Sequence, residues 1–155
     1  MYSNELVEIM KDFLDSIEAE YAFKENVFRC DTILNDKIKN LCFIISLEEY
    51  GYLISGIPED VTVTDSKLTE LLEYINMVNV ETIGPTIEVW EDIVMCSYSL
   101  NCRGMFPNAE QIHDAFAMII LCLEKFGGGL LDVLDGTGTP QEVFEKCMEV
   151  DADGE

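Results

Sequence analysis

The sequence predicts an α+β domain in which helices cover a mainly antiparallel sheet of five strands. Apolar residues recur at helical spacing at the start of the chain, alternate with polar residues over 27–57, and return to helical spacing over 68–78. The predicted order is helix, three-strand meander, helix, two-strand hairpin, long helix and short C-terminal helix. At 155 residues the chain has the size of one domain, which we assign to residues 1–150, and we expect a disordered acidic tail over 151–155.

The first predicted helix is amphipathic. Glu5, Glu8 and Asp12 occupy the face opposite its apolar stripe, and acidic residues near a helix start interact favourably with the helix dipole. The stripe consists of Leu6, Ile9, Met10, Phe13, Leu14 and Ile17. This pattern indicates a helix that packs one face against the rest of the domain.

Three strands are predicted next in the chain. The segments VFRCDTIL, KIKNLCFIISL and YGYLISGI alternate apolar with other residues and are rich in β-branched and aromatic side chains. Turn residues separate them at Asn35-Asp36 and Glu48-Glu49. Connections of this kind join neighbouring antiparallel strands, so the three segments are predicted to form a meander.

A second helix and a hairpin follow the meander. The helix is predicted to run to about Asn79, and Thr64, Asp65 and Ser66 are residues whose side chains can cap its start. Beyond Gly84-Pro85, the segments TIEVW and IVMCSYSL flank the turn residues Glu91-Asp92. This arrangement predicts two more antiparallel strands.

A long third helix is predicted to begin at Asn108, where Gln111 occupies the second position of a capping box. Helical spacing continues to Phe126, and we expect Gly127 to end the helix in a left-handed conformation. A phosphate-binding loop is excluded at these glycines, because they follow a helix instead of a strand and no lysine comes after them until Lys146.

The last helix is predicted to start at a second capping box, formed by Thr139 and Glu142, with Pro140 at the first helical position. Its helical pattern continues to Cys147. The glycines between the two helices are therefore predicted to separate structural elements.

The net charge excludes several classes of partner. The chain carries 31 acidic and 9 basic side chains, a formal charge of −22, whereas nucleic acids and anionic membranes are bound through many lysines and arginines. Met1–Leu14 lacks the basic start of a secretory signal, and the longest apolar run, Ala115–Leu123, falls short of the ~20 residues that span a bilayer. We expect a cytoplasmic protein that binds neither nucleic acid nor membrane.

Neither a metal site nor a cofactor site is predicted. The six cysteines form no C-x-x-C pair, and His113 is the one histidine, so closely spaced zinc ligands are missing from the sequence. In a chain that is not secreted, such cysteines are expected to be reduced core residues.

The run AFAMIILCL inside the third helix is the most informative feature. Nine consecutive apolar residues cover every side of a helix that turns once in ~3.6 residues, so one sheet shelters only part of them. The predicted sheet-facing stripe is Ile112, Phe116, Ile119, Leu123 and Phe126. Met118, Leu121 and Cys122 lie outside it, and the alternatives for their cover are the chain's own C-terminal segments, a second subunit or a bound peptide.

Four apolar residues are therefore candidate contacts with a protein partner or a second subunit. Met118 and Leu121 belong to the third helix, and Tyr74 and Met77 belong to the second. These four residues are left over once the sheet-facing positions are assigned. We therefore predict a homodimer and a protein or peptide partner, with these residues at the contacts.

Five segments carry a resemblance to a known family. They are LTELLEYINMVN at Leu68–Asn79, the strand after Gly84, the hairpin IEVWEDIVMCSYSL, the long apolar helix and the closing GTGTPQEVFEK. Together they lie in about the C-terminal two thirds of the chain and resemble the YbjN family of small bacterial proteins, which share the fold of type III secretion chaperones.

The resemblance implies a non-enzymatic helper. Members of that fold are small acidic dimers that hold a partly unfolded segment of another protein, and the YbjN-like branch is linked to regulation and stress. The expectation is a bacterial chaperone-like or regulatory protein without catalytic residues. The apolar helix and acidic surface agree with it, because both suit the docking of an apolar or basic segment.

Two other functions stay open. A small cysteine-dependent enzyme would pair one thiol with His113, and it predicts a fast-reacting thiol in a pocket that joins the two groups. An acidic decoy for a basic protein predicts binding that is lost as salt rises.

Overall fold

Four helices and six strands form the described part of the chain, residues 4–154, in the computed structural model, which describes side chains up to Glu149. The helices are α1 (Asn4–Ser16), α2 (Leu68–Glu81), α3 (Ala109–Asp135) and α4 (Pro140–Gly154). The strands are β1 (Tyr21–Lys24), β2 (Val27–Thr32), β3 (Leu41–Glu48), β4 (Gly51–Pro58), β5 (Thr86–Trp90) and β6 (Ile93–Asn101). The predicted α+β class, with helices packed on an antiparallel sheet, is confirmed.

The sheet has the strand order β1-β2-β3-β4-β6-β5, and every neighbouring pair is antiparallel. The prediction of five strands is wrong by one, because β1 was not recognised. A two-residue turn at Glu25-Asn26 joins β1 to β2, with φ values of 53° and 64°. Two positive φ values match the twist of a tight hairpin, and such turns usually contain glycine, which this one lacks.

The two faces of the sheet differ in composition. Helices cover the face that carries Phe43, Ile45 and Ile54, all buried, together with Tyr52, whose hydroxyl donates to the Leu6 carbonyl of α1. The opposite face of β3, β4 and β6 is rich in serine and includes a hydrogen bond of 2.8 Å between the hydroxyls of Ser55 and Ser97. The apolar core therefore lies between the sheet and the helices.

Helix α3 continues well beyond its predicted end. Gly127 does not terminate it, and the left-handed cap is Gly136, with a φ of 74°. The glycines inside the helix provide space for other parts of the chain. A Cβ atom at position 127 would lie 2.5 Å from Ile38 Cδ1, and one at position 129 would lie 2.1 Å from the Tyr74 hydroxyl oxygen. Neither position has room for a side chain.

The predicted helix caps are partly confirmed. The Asn108 side chain accepts from the Gln111 backbone N–H at 2.9 Å, and Gln111 accepts in return from the Asn108 N–H at 3.0 Å. Thr139 and Glu142 form the same reciprocal pair at the start of α4. The caps predicted ahead of α2 are wrong, because a short 3₁₀ turn, Asp65–Lys67, precedes that helix and no side chain caps either element.

The C-terminal helix is longer than its sequence pattern indicated. The backbone of α4 is helical to Gly154, so it includes residues 151–154 of the tail predicted to be disordered, and Glu155 lies outside the described residues. Within residues 4–154, no helix is both long and apolar enough to cross a membrane.

Candidate binding groove

An open groove of about 830 Å³ lies between the C-terminal end of α1 and the N-terminal half of α3, above strands β2 and β3. We call it the α1–α3 groove. Its apolar lining consists of Phe13, Leu14, Ile17, Ala19, Cys30, Phe43, Phe116, Ala117, Ile120 and Leu121. The volume is within the range of sites that bind small molecules or peptide side chains.

Three aromatic rings form the floor of the groove. Phe116 of α3 stacks on Phe13 of α1 with ring centroids 5.7 Å apart, and its ring meets Phe43 of β3 edge-on at 4.9 Å. Each aromatic pair in such a geometry stabilises the fold by about 0.5–1.5 kcal/mol, in addition to the contribution from its buried area. The floor is therefore held by α1, α3 and the sheet together.

Ile17 projects into the groove because α1 ends just before it. The Ser16 hydroxyl donates to the Phe13 carbonyl at 2.6 Å, and Glu18 adopts a left-handed conformation with a φ of 56° that turns the chain towards β1. Ile17 is 55% exposed, as the last residue of an apolar stripe that is otherwise mostly buried. Its side chain is available to a ligand in the groove.

Carboxylates surround the apolar floor. Glu18 and Glu20 lie at the α1 side and Glu124 at the α3 side, all three exposed. Asp31 also contributes to the lining, but its carboxylate lies 3.7 Å from the Arg29 guanidinium. Among the described residues, none of the three glutamates has a basic nitrogen within 4.0 Å, so the rim is negatively charged.

A thiol and the imidazole also line the groove. Burial and the neighbouring Asp31 carboxylate raise the pKa of Cys30 to about 11, which disfavours the reactive thiolate. His113 is exposed, and its Nδ1 lies 3.4 Å from the Asp114 carboxylate. In the described residues no hydrogen bond joins Cys30 to His113, so the geometry does not show an activated nucleophile.

The four predicted contact residues have different positions. Leu121 is 62% exposed at the edge of the groove, and Met118 is half-buried and lines a smaller pocket with Leu121 and Ile83. Tyr74 is wholly buried, and its hydroxyl donates to the Phe126 carbonyl at 2.6 Å, so its assignment as a surface contact is wrong. Met77 is half-buried on α2 and does not line the groove.

The chain itself covers part of the apolar excess of α3. Cys122 is buried near Cys96, and a hydrogen bond with the Cys122 thiol, together with burial, raises the pKa of the Cys96 thiol well above its usual range. By contrast, the described residues leave 62% of Leu121 exposed, compared with 7% of Cys122. Internal packing therefore accounts for Cys122 but leaves Leu121 to a partner or to solvent.

A second cleft holds three of the nine basic side chains of the protein. Lys37, Lys125 and Lys146 line it next to the C-terminal half of α3, in a volume of about 580 Å³. Glu124 and Asp132 lie in the same cleft, and Lys37 Nζ is 4.0 Å from the Asp132 carboxylate. Because the carboxylates of Glu124 and Asp132 offset most of the lysine charge, this cleft attracts an anion only weakly.

Asp31, Cys42 and Glu59 bring three potential metal-ligand atoms within 4.8 Å of one another. Arg29 already lies 3.7 Å from the carboxylate of Asp31 and 3.5 Å from that of Glu59. Burial and a hydrogen bond to Asp31 raise the pKa of Cys42 to about 12, so its thiol stays protonated at neutral pH. The two carboxylates are therefore ion-paired with Arg29, beside a neutral thiol.

Sequence reasoning missed most of the groove. Phe13 and Ile17 were assigned to a helix face without a ligand, and Phe116 was assigned to the sheet-facing stripe. Ala117 and Ile120 were not singled out at all. The available signal was Ile17, which extends the stripe of α1 beyond the last turn of that helix.

No protein-family model, no curated protein and no solved structure matches this chain. The resemblance to the YbjN family therefore stays a prediction.

Proposed function

We propose that this chain is a non-enzymatic, chaperone-like binding protein of the bacterial cytoplasm that holds a segment of a partner protein in the α1–α3 groove. The observation that carries the proposal is an apolar groove open to solvent, with Ile17 and Leu121 exposed at its edges. The YbjN-like resemblance of the sequence supports the same function.

The energetics favour an apolar segment as ligand. Each large apolar side chain that moves from water into such a groove contributes about 1.5–3 kcal/mol. Two or three side chains against the Phe13, Phe43 and Phe116 rings offset part of the cost of ordering the bound segment. The expected binding is reversible, as a holding function requires.

Suppression of aggregation tests the proposal. A chemically denatured test protein is diluted into buffer with the chain, and aggregation is followed by light scattering. We expect the wild-type chain to suppress scattering and Ile17→Asp to lose most of this effect, because a carboxylate at the groove edge opposes apolar binding. Ile33→Asp is the matched control, since Ile33 is 76% exposed and lies outside the groove. Equal scattering with and without the wild-type chain would refute the proposal.

We also propose that two copies associate through α3, around Met118 and Leu121. Ile83, which is 94% exposed, lines the adjoining pocket with both residues. The three side chains form an apolar patch that shares Leu121 with the edge of the groove, and a second copy of the same patch is a symmetric way to cover it.

A cysteine-dependent enzyme is the second candidate, because Cys30 and His113 line the same groove. The raised pKa of Cys30 opposes this function, since a catalytic thiol is normally activated by a lowered pKa. The two functions predict different thiol reactivities at neutral pH.

A further inference from the structure

We infer that the segment held in the α1–α3 groove is a basic amphipathic helix. The inference rests on the proposed binding function and adds the conformation and charge of the ligand. It depends on which backbone and which charged groups line the groove.

The backbone around the groove favours a helical ligand. Strand β2 pairs with β3 along its whole length and with β1 from Val27 to Cys30, and the remaining walls are the helices α1 and α3. Among the described residues, the strand edge that lines the groove without a β1 partner is therefore only two residues long, Asp31 and Thr32. An extended segment would find few backbone partners there, whereas a helix satisfies its own N–H and C=O groups and presents only side chains.

The rim selects the charge of the ligand. Glu18, Glu20 and Glu124 flank the apolar floor on both sides, without basic partners within 4.0 Å among the described residues. Lysine and arginine side chains can bury their aliphatic stems along an apolar surface and place their charges at such a rim. The net charge of −22 further attracts a basic segment over long range.

The same features exclude an acidic occupant. A second copy of this chain would bring 31 acidic side chains towards a rim of glutamates, so the charges do not favour it as the ligand of the groove. The rings of Phe13 and Phe43 lie 5.7 and 4.9 Å from that of Phe116, and these distances are close to the ~5–6 Å between side chains at i and i+3 or i+4 of a helix. The ligand is thus apolar on one face and rich in lysine or arginine beside it.

Synthetic peptides test the inference. The probe is a fluorescein-labelled peptide of leucine and lysine whose leucines follow the helical period. Three comparison peptides are a scrambled sequence of the same composition, a version with glutamate in place of lysine, and a version with a central proline that breaks the helix. Binding to the full chain is measured by fluorescence anisotropy, and circular dichroism reports helix formation. We expect the leucine–lysine helix to bind at least about tenfold more tightly than each comparison peptide.

Charge reversal at the rim supplies the matched variants. Glu20→Lys with Glu124→Lys should weaken binding of the leucine–lysine peptide by about tenfold at low salt, with a smaller effect at high salt. Glu73→Lys with Glu88→Lys changes the net charge by the same amount at exposed positions outside the groove, and we expect a much smaller effect. Denaturant midpoints of both variants verify that they are folded.

The outcomes separate this inference from the proposed function. If the lysine and glutamate peptides bind equally well to the wild-type chain and Ile17→Asp abolishes the binding of both, the inferred charge is overturned. The proposed function of the groove would still stand. Equal binding of the proline peptide would overturn the inferred helix. If the scrambled lysine peptide binds and Ile17→Asp does not change its affinity, the chain binds basic peptides through its acidic surface. That result would favour the acidic decoy and overturn the inference. Failure of the aggregation assay would refute the proposed function itself.

Discussion

At the scale of single residues, Gly129 is the glycine of α3 with the least space for a side chain. A Cβ atom there would lie 2.1 Å from the Tyr74 hydroxyl oxygen, which donates to the Phe126 carbonyl. Gly129→Ala should therefore displace Tyr74 and lower the free energy of unfolding by about 2–3 kcal/mol, through overpacking and the loss of a buried hydrogen bond. Urea unfolding measures the change.

The adjacent glycine provides the control. A Cβ atom at position 128 would approach Lys37 Cδ at 2.9 Å, but this atom belongs to a flexible, exposed side chain that can move. Alanine is favoured over glycine inside a helix by about 0.5–1 kcal/mol, so Gly128→Ala should be neutral or stabilising. Similar losses of stability in both variants would show that the Tyr74 contact is not the cause.

The thiol of Cys30 gives a pH-dependent prediction. With a pKa of about 11, only about one thiol in 10⁴ is ionised at pH 7, because burial and Asp31 disfavour the thiolate. Alkylation of Cys30 in the folded protein should therefore be slow at pH 7 and rise about tenfold per pH unit up to pH 10. Mass spectrometry of the labelled peptide measures the rate. A fast rate that levels off near pH 7 would support the cysteine-dependent enzyme instead.

The run of glycines after Phe126 shows where local prediction reaches its limit. A glycine after a long helical pattern usually ends the helix, and this rule led to the wrong position for the end of α3. The space for Gly127 and Gly129 is taken by Ile38 and Tyr74, which are distant in the chain. Contacts of this kind depend on the tertiary structure, so sequence spacing does not reveal them.

At the scale of secondary-structure elements, the helix caps offer a paired test. Asn108→Ala removes the acceptor of the Gln111 N–H bond at the start of α3 and should lower the free energy of unfolding by about 1 kcal/mol. Thr64 also has a capping residue type, but its side chain makes no cap hydrogen bond. Thr64→Ala should therefore change stability by less than about 0.5 kcal/mol. Thermal or urea unfolding of both variants decides whether the observed bonds or the residue types determine the effect.

Elements with strong periodicity were predictable, whereas their spatial relations were not. Strands β3 to β6 and the capping boxes of α3 and α4 follow from alternation and turn chemistry, but the four-residue β1 was too short to be recognised. The α1–α3 groove depends on the separation of two helices that lie far apart in the chain. Phe116 illustrates this. It was predicted to face the sheet and does contact Phe43 of β3, but the sequence pattern does not reveal its stacking on Phe13 of α1.

At the scale of the whole molecule, the proposed dimer has a direct test. Met118→Asp combined with Leu121→Asp places two charges in the apolar patch of α3 and should convert a dimer into a folded monomer. Sedimentation velocity gives the mass, and far-UV circular dichroism verifies folding. Ile33→Asp combined with Met105→Asp is the control, because both residues are highly exposed and lie outside the patch. An unchanged mass in the Met118 and Leu121 variant would contradict the proposed interface.

The net charge of −22 gives the two proposed associations opposite salt dependences. Two copies of the chain repel each other at long range, so screening by salt should increase the dimer fraction, since apolar contacts at Met118 and Leu121 are little affected. The attraction between the glutamates of the groove rim and a basic helix is screened in the same way, so its affinity should fall. Sedimentation and anisotropy at about 50 and 500 mM NaCl, where the screening length falls from more than 10 Å to under 5 Å, measure both effects. A dimer that dissociates as salt rises would show an interface held by ion pairs and contradict the apolar patch.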